Sequence, residues 1–212
     1  MLAWAATATG QTPTATLAAP GTAEGYVCRL LVNEVPFPGE RGYKSEQDTM
    51  DAMVALLSVL DGRLHRVPPP YRQRDIAAVT TTDIIDVITA GGEHGQFDGF
   101  YRDDQGKPAM VPRVTERFAN LMKISQQGKP GKFAKLLNFA AGIATDFTRK
   151  QLAADPYVLV VIVNGVPATG GAYSWMTDEM RFNPGGNFLR ITDAQQGSLG
   201  GNRFFTLRKN PQ

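Results

Sequence analysis

Ser45-Glu46-Gln47-Asp48-Thr49-Met50-Asp51-Ala52-Met53-Val54-Ala55-Leu56-Leu57-Ser58-Val59-Leu60 holds the clearest periodic pattern in the chain. Met50, Met53, Val54, Leu57 and Leu60 recur at three- and four-residue steps, which places them on one face of an α-helix. Ser45 and Asp48 stand in the S-x-x-D arrangement that satisfies free N–H groups of a first turn, and Gly62 stands where a helix would end. A core helix over residues 45–60 is therefore predicted, and with it a mainly helical domain.

Upstream, Val27, Leu30, Leu31 and Glu34 have the same spacing, and Pro36 and Pro38 stop the segment. Glu34 therefore closes an apolar stripe. Downstream, Pro68-Pro69-Pro70 enforces an extended connector. Asp75 to Ile88 follows with Ile76, Val79, Ile84, Ile85 and Ile88, and Thr82 is expected to cap a short helix there. Gly91 to Pro112 is rich in Gly, Asp and aromatic residues without a period, and long loops of this kind are often functional. Two further helices are expected over Val114 to Ile124 and Phe133 to Leu152, separated by Gln127-Gly128-Lys129-Pro130-Gly131. Tyr157 to Val163 suits either a buried strand or a helix; Asp155-Pro156 before it and Asn164-Gly165 after it favour the helix. Ala172 to Trp175, Phe188 to Ile191 and Phe204 to Leu207 read as short strands between glycine-rich turns. The fold class expected is α+β, mainly helical with a small antiparallel sheet, as one domain over residues 23–212. Residues 1–22, rich in Ala, Thr and Pro, cannot bury enough apolar surface to offset ordering and are expected to form a disordered leader.

The chain has 212 residues, enough for one sizeable core without oligomerisation, so a monomer is favoured. Its net charge of +2 comes from 22 basic and 20 acidic side chains, too balanced a surface for a nucleic-acid partner. The longest apolar run, Val158 to Val163, is far short of a membrane span. A single cysteine, Cys28, excludes an intrachain disulfide. His65, His94 and Cys28 are not at ligand spacing, so no metal is expected, and Gly91-Gly92 and Gly170-Gly171 lack the Lys-Ser/Thr of a phosphate loop. No cofactor is called for. Cys28 with His94 would suit a thiol amidase, but Cys28 falls beside an apolar stripe, where a thiol packs and stays inert.

Glu34 is the residue with chemistry in its placement. A carboxylate at the end of an apolar stripe loses solvent, which disfavours its charged form and prepares a proton donor. Glycoside cleavage needs such a donor for the leaving oxygen. In Gly91-Gly92-Glu93-His94-Gly95-Gln96-Phe97, Glu93 and His94 offer a second acid or a polar contact.

Leu30-Leu31-Val32-Asn33-Glu34 with Pro38-Gly39-Glu40, the Ala/Val-rich Asp51-Ala52-Met53-Val54-Ala55-Leu56-Leu57, the pair Gln96-Phe97, Gly171-Ala172-Tyr173, and Leu199-Gly200-Gly201-Asn202-Arg203-Phe204-Phe205 occur in an order that resembles the bacterial cell wall hydrolase family of the spore-cortex lytic enzyme type. These are lysozyme-like peptidoglycan glycosidases and lytic transglycosylases. The resemblance spans roughly residues 26–208 and departs from the family at Asn202, where a histidine is usual. It implies a lysozyme-like fold, a helical lobe and a small sheet bordering a cleft for a sugar chain. Glu34 would protonate the glycosidic oxygen and the sugar's own primary hydroxyl would attack, giving an anhydro product. Gln96, Phe97, Tyr173 and Phe205 would line the cleft, with Glu93 as a polar contact. The implied partner is a peptidoglycan glycan strand, met by a secreted, periplasmic or phage-associated protein. The alternatives are a non-catalytic glycan- or protein-binding domain, a phage or secretion-system structural component, and the Cys28/His94 amidase.

Overall fold

The computed structural model describes residues 16–92, 95–127, 131–151, 154–177, 185–192 and 198–212. Helix α1 (Ala23–Glu34) opens at Thr22, whose hydroxyl accepts the Gly25 N–H at 3.1 Å. It closes at Glu34, as its stripe predicts. Helix α2 (Glu46–His65) opens at Ser45, whose hydroxyl accepts the Asp48 N–H at 3.0 Å, the bond expected from S-x-x-D. It runs past Gly62, contrary to the expected stop. Gly62 is there for close packing: a Cβ would come within 3.1 Å of the Ala172 carbonyl oxygen and of the Tyr173 ring.

The segment after the prolines forms two one-turn helices, α3 (Gln73–Ala77) and α4 (Ile84–Ile88). Asp83, not Thr82, caps α4: its carboxylate accepts the Ile85 N–H at 2.8 Å, and a charged acceptor is the stronger cap. The stretch expected to be a plain loop contains a hairpin, β1 (Phe100–Arg102) paired with β2 (Pro108–Met110), too short for a period to show. The Asp103 carboxylate closes its turn on the N–H groups of Gln105 and Lys107.

Helices α5 (Pro112–Gln126) and α6 (Gly131–Thr148) follow. Tyr157 to Val163 is not the helix favoured above. Turns at its start lead into a small hairpin, β3 (Ile162–Val163) and β4 (Val166–Pro167). Asn164 at φ 48° and Gly165 at φ 78° supply the two left-handed residues of a primed turn, so Asn-Gly here joins strands rather than ending a helix. The hairpin leaves Val158, Leu159, Val161 and Ile162 exposed. The last layer is a three-stranded antiparallel sheet of β5 (Ser174–Thr177), β6 (Phe188–Arg190) and β7 (Asn202–Leu207), with β7 in the centre. The architecture is thus α+β, mainly helical with small antiparallel sheets.

Helix α1 is the axis, packed against α2, α4, α5 and α6. Val27, Leu30 and Leu31 are fully buried in one core with Leu56, Leu60, Leu136 and Phe204. The chain joins this fold before residue 22: Leu17 packs on the core and the Ala18 carbonyl accepts from Arg29. Of the expected disordered leader, residues 1–15 lie outside the described residues.

A helix ends with carbonyl groups lacking partners in their own turn. At the end of α1 other elements supply them. Arg117 of α5 donates to the carbonyls of Val32 and Val35, and Asn202 of β7 donates to that of Glu34 at 2.7 Å. Arg117 also pairs with Glu40 at 2.5 Å, while Glu40 accepts the Phe37 N–H at 2.7 Å, which fixes the turn after the helix. Charge-assisted bonds contribute about 1.5–3 kcal/mol each, non-additively and partly replaceable by water. Arg117→Ala is therefore expected to lower stability by about 2–3 kcal/mol, read as a lower urea midpoint at unchanged m-value.

Candidate active site

The contacts that close α1 aim its last side chain at the sheet. One Glu34 oxygen, Oε2, accepts the indole N–H of Trp175 on β5 at 2.9 Å, and Oε1 accepts the Asn33 amide at 3.0 Å. Part of Glu34 remains open to solvent, yet protein fills most of the surroundings of its carboxyl group. This burial raises its pKa above the ordinary glutamate value and outweighs the Trp175 and Asn33 hydrogen bonds, which act downward. Asp98 adds an upward push and Arg113 a downward pull. Those two side chains pair with each other at 2.5 Å, both well exposed.

Trp175 is half-buried and Phe97 lies flat behind it, ring centroids 4.8 Å apart at 20°. The register explains the placement. Trp175 stands opposite Phe204 on the face of the sheet that meets the helices, so strand alternation turns its indole toward the end of α1. Behind the aromatic pair sits Arg63 of α2, buried, its guanidinium carbon 5.1 Å from the Phe97 ring centre and 5.9 Å from that of Trp175. Its Nη1 donates to Gln96 Oε1 at 2.6 Å and its Nε to the Tyr173 carbonyl at 2.7 Å.

Of the residues expected in the site, Glu34, Gln96 and Phe97 are brought together. Gln96 spends its amide oxygen on Arg63, and Phe97 is buried as the backing of Trp175 rather than as an open face. Tyr173 and Phe205 do not line the recess. The Tyr173 ring packs with Ile76 and Leu207, its hydroxyl donating to the Arg66 carbonyl at 3.1 Å, and Phe205 is 2 % exposed. Phe205, opposite Ser174, faces away from the Trp175 side of the sheet, and Tyr173, on the Trp175 side by alternation, is drawn instead into the cluster with Ile76 and Leu207. Glu93 and His94 lie outside the described residues. Cys28 is buried in the core, and that burial pushes its thiol up to about 11, which leaves no ready thiolate for amidase chemistry.

Trp175 and Arg63 are the residues that the sequence reading passed over. Arg63 had a signal. It continues the α2 stripe from Leu56, Val59 and Leu60 at helical spacing, so it is a charge on a buried face. Trp175 had a fainter one, alternation with Tyr173 in a short strand.

No family model, curated sequence or solved structure matches the chain. Among the described residues no group of three His, Cys, Asp or Glu side chains forms a cation cage. A small cavity between α2 and α6, about 80 Å³ and bordered by Asp61, Arg66 and Asp146, includes none of the residues around Glu34.

Since burial raises the Glu34 pKa in the folded state, the fold binds that proton more tightly than the unfolded chain does. The resulting stabilisation is complete below the ordinary glutamate range and is lost as pH rises through the folded value. Glu34→Gln removes the dependence. At neutral pH the variant is expected to be more stable than the native protein, by about 0.5–2 kcal/mol as for other relieved functional sites, with the difference shrinking toward pH 4 in thermal melts. Trp175→Phe keeps the stacked ring but deletes the donor to Oε2, and is expected to move the Glu34 titration further up, measured by carboxyl carbon NMR.

Proposed function

We propose that this protein cleaves peptidoglycan glycan strands, as a muramidase or lytic transglycosylase, with Glu34 as the proton donor. The observation that carries the reading is the Glu34 carboxyl itself: partly open to solvent, raised by burial, and oriented by the Trp175 indole N–H. A glycosidic C–O bond breaks readily only when its leaving oxygen is protonated as positive charge develops on the ring, and an acid that keeps its proton near neutral pH does this.

The surroundings fit that task. The partly buried Trp175, stacked on Phe97, offers an apolar surface beside the acid for the C–H face of a sugar. Asp98, a carboxylate that acts on Glu34, is paired with the Arg113 guanidinium at the rim. With Asn33 and Trp175 as the side-chain hydrogen-bond partners of Glu34 among the described residues, the lytic course is favoured: Glu34 protonates the leaving oxygen, then takes the proton from the sugar's own primary hydroxyl as it closes the anhydro ring. The ordered resemblance to cell wall hydrolases, carried by Leu30-Leu31-Val32-Asn33-Glu34 and then Gln96-Phe97, supports the same substrate and a lysozyme-like arrangement of helical lobe and sheet; Glu34 closes its helix, where the family's acid stands near a helix start.

Incubation with purified peptidoglycan tests the proposal. The native protein is expected to release soluble fragments with anhydro-muramyl ends by mass spectrometry, and Glu34→Gln to lower the rate by about 10²–10⁴-fold. Reducing ends instead of anhydro ends would assign hydrolysis, and equal release by both proteins would remove Glu34 from the chemistry.

A further inference from the structure

Arg63 is a buried cation that the proposed reaction does not use. It is 4 % exposed, and among the described residues no carboxylate stands within ion-pair distance of it. Burial pulls its pKa down to about 10, so it stays charged at neutral pH. A lone buried charge is costly to a fold, and an apolar side chain at this point of the α2 stripe would pack without that cost. What the guanidinium supplies is geometry. Its Nε bonds the Tyr173 carbonyl, two residues before Trp175, and its Nη1 bonds the Gln96 side chain, one residue before Phe97. Its guanidinium carbon lies near the centres of both rings of the stacked pair, 5.1 Å from Phe97 and 5.9 Å from Trp175.

We infer that Arg63 is a positioning residue, a rigid fork that ties the Gln96-Phe97 loop to the strand carrying Trp175 and so holds the indole N–H on Glu34. The structural part of this inference stands on the distances alone; its consequence for turnover rests on the reading of Glu34 as proton donor. Lysine cannot replace it, because an ammonium has no planar pair of donors to span the two segments and stacks less well. Glu34 feels Asp98 and Arg113 from the rim, and neither contacts the Arg63 fork. Removal of Arg63 therefore acts through the aromatic pair.

The test follows the Trp175 indole N–H by NMR, assigned by its loss in Trp175→Phe, across a pH titration of the full chain. In the native protein this resonance is expected to move as Glu34 ionises. In Arg63→Lys, with its fold checked by circular dichroism, most of that movement is expected to vanish. On peptidoglycan kcat should fall by about 10²-fold, the scale of a small misplacement, with KM nearly unchanged. Gln96→Leu, which keeps the cation and its stacking, should show a partial loss of both. A folded Arg63→Lys with the native indole titration overturns the inference. Where Arg63→Lys does not fold, a native titration in Gln96→Leu overturns it equally. Absence of wall cleavage by the native protein would count against the proposed function alone, since the titration reads the positioning role without substrate.

Discussion

The end of helix α1 is the constraint on which the rest of this structure turns. A helix that stops inside a protein leaves carbonyls that must find donors, and here they come from different parts of the chain: Arg117 from α5 and Asn202 from β7. The same few residues that satisfy the helix end thus dock one helix and the sheet against it. The side chain at that end, Glu34, is consequently held where three elements meet, which is how a carboxyl group comes to be largely desolvated without leaving the surface altogether. Hydrophobic packing of Val27, Leu30 and Leu31 fixes the axis of α1, and the polar contacts fix its terminus.

From this anchor the chemistry follows by short steps. Desolvation favours the neutral acid, the indole N–H of Trp175 orients one oxygen, and Phe97 keeps the indole from tilting away. Each of these groups is supported in turn, Phe97 and Trp175 by the Arg63 guanidinium and Arg63 by the two segments that it bridges. Precision at the acid is therefore built on secondary-structure elements rather than on a free loop, a condition for catalytic groups that must be preorganised.

Much of the helical part was legible in the sequence because helical burial leaves a strong signature. The stripes ending at Glu34 and beginning after Ser45 fall on α1 and α2, and the cap at Ser45 is made as expected. Where expectation and structure part, the determining contact lies far away in the chain. Gly62 reads as a stop but is demanded by the Tyr173 ring, more than a hundred positions downstream. Asn164-Gly165 reads as a helix end, yet it is the turn of a hairpin, because the same left-handed residues serve both purposes. In the site, Glu34 could be found from its position on a stripe. Trp175 could not be preferred over Tyr173 from alternation, which puts both on one side of the strand; the distant contacts of the Tyr173 ring with Ile76, Leu207 and Gly62 take it away from the end of α1. Tyr173 and Phe205 are placed against a sugar by the family resemblance, and their burial takes both away from it.

Glu34 as the proposed proton donor is tested most directly by a structure of the Glu34→Gln protein with a peptidoglycan-derived oligosaccharide, a variant expected to bind the strand without the proton to cut it. A sugar ring against the Trp175 indole is expected, with a glycosidic oxygen within hydrogen-bond reach of the side chain at position 34, about 2.6–3.2 Å. An oligosaccharide seated on another face, with the recess around position 34 empty, would contradict it.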